Sequence, residues 1–217
     1  METAIENQEQ LAKKWVEPSG SAIDIPADWH CETRDTFQAR LERMTRELVR
    51  RGIDEMRAYA ISAVAGEIGN NSFDHNIGNW RDVPGVWFSF DVFADGKTKV
   101  ILADRGRGVL DTLRRVKASL ATDAEALETA FTEKLSGRAP ENRGNGLKFV
   151  RSMVSENGLR LTFASGNATM TLEKGMNVFP SETVWGVSGD FGRINDGQYA
   201  YRNEKVRRYA HFAASRP

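Results

Sequence analysis

Glu67, Asn71 and His75 follow one another at four-residue spacing within Ala65-Gly66-Glu67-Ile68-Gly69-Asn70-Asn71-Ser72-Phe73-Asp74-His75, a stretch patterned as a helix. Residues four apart share a helical face, so a carboxylate, a carboxamide and an imidazole would stand in a row. An amide oxygen suits Mg²⁺, a hard cation that keeps several waters and takes further oxygens from phosphates. A carboxylate one turn earlier can orient or deprotonate a water as general base. A solvated helix face is the plainer account, but two adjacent asparagines in mid-helix carry a propensity cost that asks for a reason.

Asp104 follows the apolar run Val100-Ile101-Leu102-Ala103 and leads into Arg105-Gly106-Arg107-Gly108, which puts it where a strand leaves a sheet. A carboxylate buried there needs a donor, such as the 6-amine of adenine, because burial without one is costly. Gly106 and Gly108 let the backbone turn close to such a ligand. Many turns read Asp-x-Gly-x-Gly, so this motif draws its weight from following Glu67 and Asn71. Further on, Gly144-Asn145-Gly146-Leu147-Lys148 opens a predicted helix. Glycines at a helix N-terminus expose N–H groups to phosphate oxygens.

In this order the three segments resemble the N, G1 and G2 boxes of the GHKL nucleotide-binding superfamily. That superfamily includes gyrase-type ATPases, the Hsp90 N-domain, histidine-kinase ATPase domains and the anti-sigma-factor serine kinases. The resemblance covers residues 35 to 175 and implies an ATP and Mg²⁺ site. It implies that Asn71 is the magnesium ligand and Glu67 the base or water-positioner. It assigns Asp104, Gly106 and Gly108 to the adenine, and Gly144, Asn145, Gly146, Leu147 and Lys148 to the phosphates. Thr169 matches a threonine that supports the adenine through water. The segment 109–144 corresponds to the ATP lid, with Arg138, Arg143 and Lys148 as cations available to the γ-phosphate.

Two departures refine the resemblance. Histidine kinases carry a basic residue three places after the asparagine, whereas Asp74 stands there. The run Asn71-Ser72-Phe73-Asp74-His75 is closer to gyrase-type ATPases and to the chemotaxis kinase, which would bring His75 towards the phosphates. Lys148-Phe149 also replaces the second Gly-Leu that many histidine kinases have.

The elements needed to hold these residues follow from periodicity. Phe37, Leu41, Met44, Leu48 and Val49 recur at helical spacing from Glu32 to Arg51, closed by Gly52. Ile53 to His75 predicts a second helix with Met56, Ala60, Ala63, Val64 and Ile68 in one stripe. Val86–Phe93 and Lys99–Ala103 predict a hairpin about Ala94-Asp95-Gly96-Lys97. Helices are expected over 109–120, 123–135 and 147–156, then a second hairpin, 159–163 with 168–172. Hairpins with helices grouped between them predict an α+β two-layer sandwich, its mixed, mostly antiparallel sheet covered on one face by helices. That is the Bergerat-type fold the resemblance implies. Residues 1–31, broken by Pro18, Gly20 and Pro26, read as an irregular lead-in, 32–175 as the ATP-binding domain, and 176–217 as a C-terminal extension.

The 217 residues balance 30 Lys and Arg against 30 Asp and Glu, so no overall field draws the chain to nucleic acid or anionic lipid. Cys31 is the only cysteine, which excludes an internal disulfide and a cysteine-rich zinc site. The polar, acidic start Met1-Glu2-Thr3-Ala4-Ile5-Glu6-Asn7 has no signal pattern, and no apolar run is long enough to span a bilayer, which predicts a cytoplasmic protein. In the tail, Trp185, Tyr199, Tyr201 and Tyr209 alternate with Arg202, Lys205, Arg207 and Arg208, a mixture that more often packs than binds nucleic acid. His30 lacks the His-Glu-x-x-x-Pro surroundings of a phosphoacceptor, which leaves His75 and His211 and disfavours self-phosphorylation. The expectation is a regulatory protein that hydrolyses ATP or transfers its γ-phosphate to a separate protein partner, with a homodimer open. The alternative is a nucleotide-dependent interaction switch without turnover.

Overall fold

The computed structural model describes residues 4–17, 25–76, 78, 80, 82–133, 145–174, 176–182 and 206–214. Along them run α1 (Ala4–Val16), β1 (His30–Cys31), α2 (Arg34–Arg50), α3 (Glu55–Asn76), β2 (Val86–Val92), β3 (Thr98–Asp104) and α4 (Gly108–Leu113). They are followed by α5 (Asp123–Thr132), α6 (Gly146–Glu156), β4 (Leu159–Gly166), β5 (Ala168–Glu173), β6 (Met176–Glu182) and β7 (Val206–Ala214).

Capping chemistry sets several boundaries. Thr33 caps α2, its hydroxyl oxygen accepting from the Thr36 N–H. Thr122 and Glu125 form a reciprocal capping box at α5. The Asp95-Gly96 turn joins β2 to β3 with Gly96 at φ 78°, a left-handed conformation that favours glycine. The helix expected over 109–120 is shorter than its pattern, since α4 ends at Leu113 and turns follow.

The seven strands form one sheet in the order β1-β2-β3-β7-β4-β5-β6, antiparallel at every pairing. β3 and β4 therefore run in the same direction with β7 between them. Side chains alternate between faces along each strand. Phe88, Val100, Leu102, Leu161, Phe163 and Met170 face the core that α2, α3, α5 and α6 cover. Trp87, Ile101, Ala103 and Ala164 turn the other way, against Ala12, Trp15 and Val16 of α1. The chain is α+β, with a helical layer on the sheet face that carries the candidate residues.

Three expectations need correction. The polar lead-in contains α1, whose Leu11, Ala12, Trp15 and Val16 cover part of the second sheet face. The stretch assigned to a C-terminal extension supplies β6 and β7 to the sheet, and β7 lies inside it rather than at an edge. Met56, placed in the apolar stripe of the second helix, is 78% exposed and lies off the core. The rest of that stripe is buried or half-buried, and α3 packs on α2 through Gly66 and Gly69. A Cβ on Gly69 would lie 2.2 Å from the Phe37 ring, so the close approach requires glycine.

Candidate functional site

Helix α3 presents polar groups on two faces. Glu67, Asn71 and Asp74 lie half-buried along one of them. Asn71 donates a side-chain hydrogen bond to the Glu67 carboxylate, which can only accept. The amide nitrogen is thereby turned to Glu67, leaving the Asn71 oxygen as the atom able to face a cation. Burial pushes the Glu67 carboxyl above the ordinary glutamate range, the Asp74 charge adds to the rise, and the Asn71 bond opposes it. Asp74 is itself ion-paired with Arg34 of α2. The position where the resemblance led one to look for a phosphate-binding cation is thus an acid tied to a structural arginine. His75 is half-buried on the next turn.

One residue further round, the buried face of α3 meets the end of β3. Asp104 is 1% exposed, and the Ser72 hydroxyl donates to its Oδ2 at 2.6 Å. The Gly106 N–H donates to Oδ1 at 2.8 Å, closing the glycine turn on the carboxylate. Asn76, wholly buried, donates from Nδ2 to the Ser72 carbonyl at 2.8 Å and accepts the Arg107 N–H at 3.1 Å. Gly106 lies against this amide so closely that a Cβ there would be 2.2 Å from Asn76 Nδ2. Gly108 has φ 82°, which carries the chain into α4, and the Val109 N–H then donates to Ser165 Oγ at 2.9 Å. On the following turn Asp123 accepts the Asn167 N–H at 3.0 Å, and its carboxylate fills the space where a Gly166 side chain would begin. The Val109 bond ties the glycine turn after Asp104 to the β4–β5 hairpin, and the Asp123 bond ties the start of α5 to it.

The third segment meets the same helix from another side. A Cβ on Gly146 would lie 1.8 Å from Glu67 Oε1, so the carboxylate stands against the first residue of α6. Asn145 makes no side-chain capping bond there. A helix N-terminus favours negative charge, and the position that holds the Glu67 carboxylate favours an anion. Leu147 packs on the core, while Lys148 donates to the Glu133 carbonyl at 2.7 Å, at the end of α5. Thr169 is half-buried on β5 opposite Ala164. Arg138, Arg143 and Gly144 lie outside the described residues, as does the last part of the lid expected over 109–144, from residue 134 on.

The fold thus brings Glu67, Asn71 and Gly146 together, and it gathers Asp104, Gly106 and Gly108 one helical residue away. Sequence reasoning missed Ser72, Asn76, Asp82, Arg105 and Ser165. Ser72 and Asn76 had a signal: they continue the buried i, i+4 series of Val64 and Ile68 with polar side chains. Arg105 and Asp82 had none, because their pairing joins distant segments.

Among the described residues no group of three or more His, Cys, Asp or Glu side chains could hold a metal ion. A cation at Asn71 would take its remaining oxygens from water and a phosphate ligand, the coordination Mg²⁺ favours. Among the same residues no helix is long and apolar enough to cross a membrane. The chain matches no protein-family model and no curated protein.

Proposed function

We propose that the chain is a regulatory nucleotide-binding protein of Bergerat type that takes Mg-ATP beside α3 and hydrolyses it or passes its γ-phosphate to a separate protein partner. The observation that carries this reading is the convergence on one helix of a buried strand-end carboxylate, a carboxylate–carboxamide pair and the N-terminus of α6. Asp104 accepts from the exocyclic amine of adenine, and Gly106 and Gly108 admit the base beside the backbone. Asn71 offers its oxygen to Mg²⁺, which supplies charge neutralisation at the phosphates when bound. Gly146 and the first turn of α6 present N–H groups to phosphate oxygens. Glu67, its carboxyl raised by burial, holds a proton more readily than an ordinary glutamate and so serves as the base that orients the attacking water or hydroxyl. Positioning and electrostatic stabilisation carry most of such a reaction, which suits this small set of groups. A cytoplasmic setting, where ATP is available, belongs to the same reading.

Calorimetric titration of ATP with Mg²⁺ into the parent and into Asp104→Asn tests it. Saturable binding in the parent, lost or greatly weakened in a variant that circular dichroism shows to be folded, is the expected result. Absence of binding in the parent would overturn the reading.

A further inference from the structure

Arg105 lies between two residues assigned to the adenine, yet its side chain turns away to the opposite face of the sheet. Its guanidinium is buried and bidentate on Asp82, Nε to Oδ1 at 3.0 Å and Nη2 to Oδ2 at 2.6 Å. Asp82 is aimed by the Val83 N–H, which donates to its Oδ1 at 2.7 Å. The remaining Arg105 nitrogen, Nη1, donates to the Trp15 carbonyl and lies 3.5 Å from the Glu17 carbonyl. The guanidinium carbon is 5.8 Å from the centre of the Trp15 ring. Trp15 and Glu17 lie at the C-terminal end of α1, where helix carbonyls lack partners and a cation is favoured. Arg105 therefore caps α1 from the glycine turn. Among the described residues α1 is also held by the Glu9–Lys99 ion pair to β3 and by apolar packing of Ala12, Trp15 and Val16 on Trp87, Ile101 and Ala103.

A buried guanidinium cannot lose its acceptors cheaply. If α1 leaves the sheet, Nη1 loses the Trp15 and Glu17 carbonyls while Nε and Nη2 keep Asp82, and the guanidinium re-seats about that pair. The backbone torsions of Arg105 set the ring closed by the Gly106 N–H on Asp104 Oδ1. Motion of α1 is thus transmitted to the carboxylate through one residue.

We propose that Arg105 is a positioning residue which couples the docking of α1 to nucleotide affinity at Asp104, so that a partner drawing α1 off the sheet releases the nucleotide. The inference rests on the nucleotide reading above and assigns its regulation. Coupling between two sites is reciprocal, so nucleotide binding must tighten α1 by the same factor that α1 docking tightens the nucleotide.

The test uses the full chain as parent, Arg105→Gln, Arg105→Lys and Asp82→Asn. Each is titrated with Mg-ATP well below its unfolding temperature, and amide hydrogen exchange is followed with and without nucleotide. Affinity is expected to fall on the order of tenfold in Arg105→Gln and Asp82→Asn. Arg105→Lys recovers part of the loss, since it keeps the charge but not the planar fork. In the parent, ATP slows exchange along α1; in Arg105→Gln it does not, while α2 behaves alike in both. A merely structural arginine would alter stability without changing this nucleotide response. Parent-like affinity in the variants, or an α1 indifferent to ATP in the parent, overturns the inference and leaves the nucleotide reading standing. A parent that binds no ATP overturns both. Should Arg105→Gln fail to fold, Asp82→Asn, whose carboxylate is partly solvated, decides by the same comparison.

Discussion

Replacing Gly106 by alanine isolates the close contact that holds the glycine turn. Gly106 is not among the glycines with a left-handed backbone, so an alanine could adopt its torsions and the cost is one of space. The new Cβ would lie 2.2 Å from Asn76 Nδ2 and 2.3 Å from both Cγ and Oδ1. Asn76 cannot retreat without giving up its bonds to the Ser72 carbonyl and the Arg107 N–H, and it has no exposure to water in compensation. Two hydrogen bonds at about 1 kcal/mol each, with about 2 kcal/mol for overpacking, outweigh the ~0.7 kcal/mol that alanine contributes by restricting the unfolded chain. The expected loss is about 3 kcal/mol, measured as a shift in the urea midpoint at constant slope.

The mechanism is tested by a second background. Asn76→Ala alone removes the bonds to the part-buried Arg107 N–H and to the Ser72 carbonyl, two hydrogen bonds at about 1 kcal/mol each. In that background the methyl of Gly106→Ala enters the space vacated by the amide, and its own cost should fall close to zero. If Gly106→Ala costs as much without Asn76 as with it, the steric argument is wrong and the glycine is required for another reason.

Glu67→Gln should stabilise the folded protein at neutral pH. A folded-state pKa above the unfolded value supplies stability that is fully present below the ordinary glutamate pKa and is lost as pH rises through the raised one. The melting-temperature gap between variant and parent should therefore open with rising pH and close in acid; a constant gap would refute the assignment. The same variant should bind Mg-ATP while losing turnover or transfer. Ser165→Ala strips the Val109 N–H of its acceptor at a position 1% exposed and should cost about 1–3 kcal/mol in denaturant unfolding; a neutral result would mean that another acceptor replaces the hydroxyl.

Local signals made much of this architecture legible. The stripe from Ala60 to Ile68 marked α3 and Asp95-Gly96 marked the β2–β3 hairpin, because each depends on neighbours in sequence. Helix α1 was obscured because its few apolar residues sit among charges at a polar terminus and acquire meaning only against Trp87 and Ile101. β7 was obscured because its partners are β3 and β4, and pairing at that separation leaves no local trace.

The candidate site was legible for a further reason, which also explains what was missed. Adjacent helical residues point about 100° apart, so Asn71 and Ser72 serve different walls although they are neighbours in sequence. The Asn71 face carries Glu67 to Gly146 at the start of α6, and the Ser72 face carries Asn76 to Gly106 at the end of β3. Motif spacing reveals the first face because its residues are chemically conspicuous. The second face consists of small polar groups whose work is to hold a carboxylate and a glycine turn, and it resembles an imperfect apolar stripe until β3 is set against it. A helix built this way lets the two walls be perturbed separately. Glu67→Gln should leave the Asp104 turn intact, while Gly106→Ala should disturb that turn without touching the Glu67–Asn71 pair.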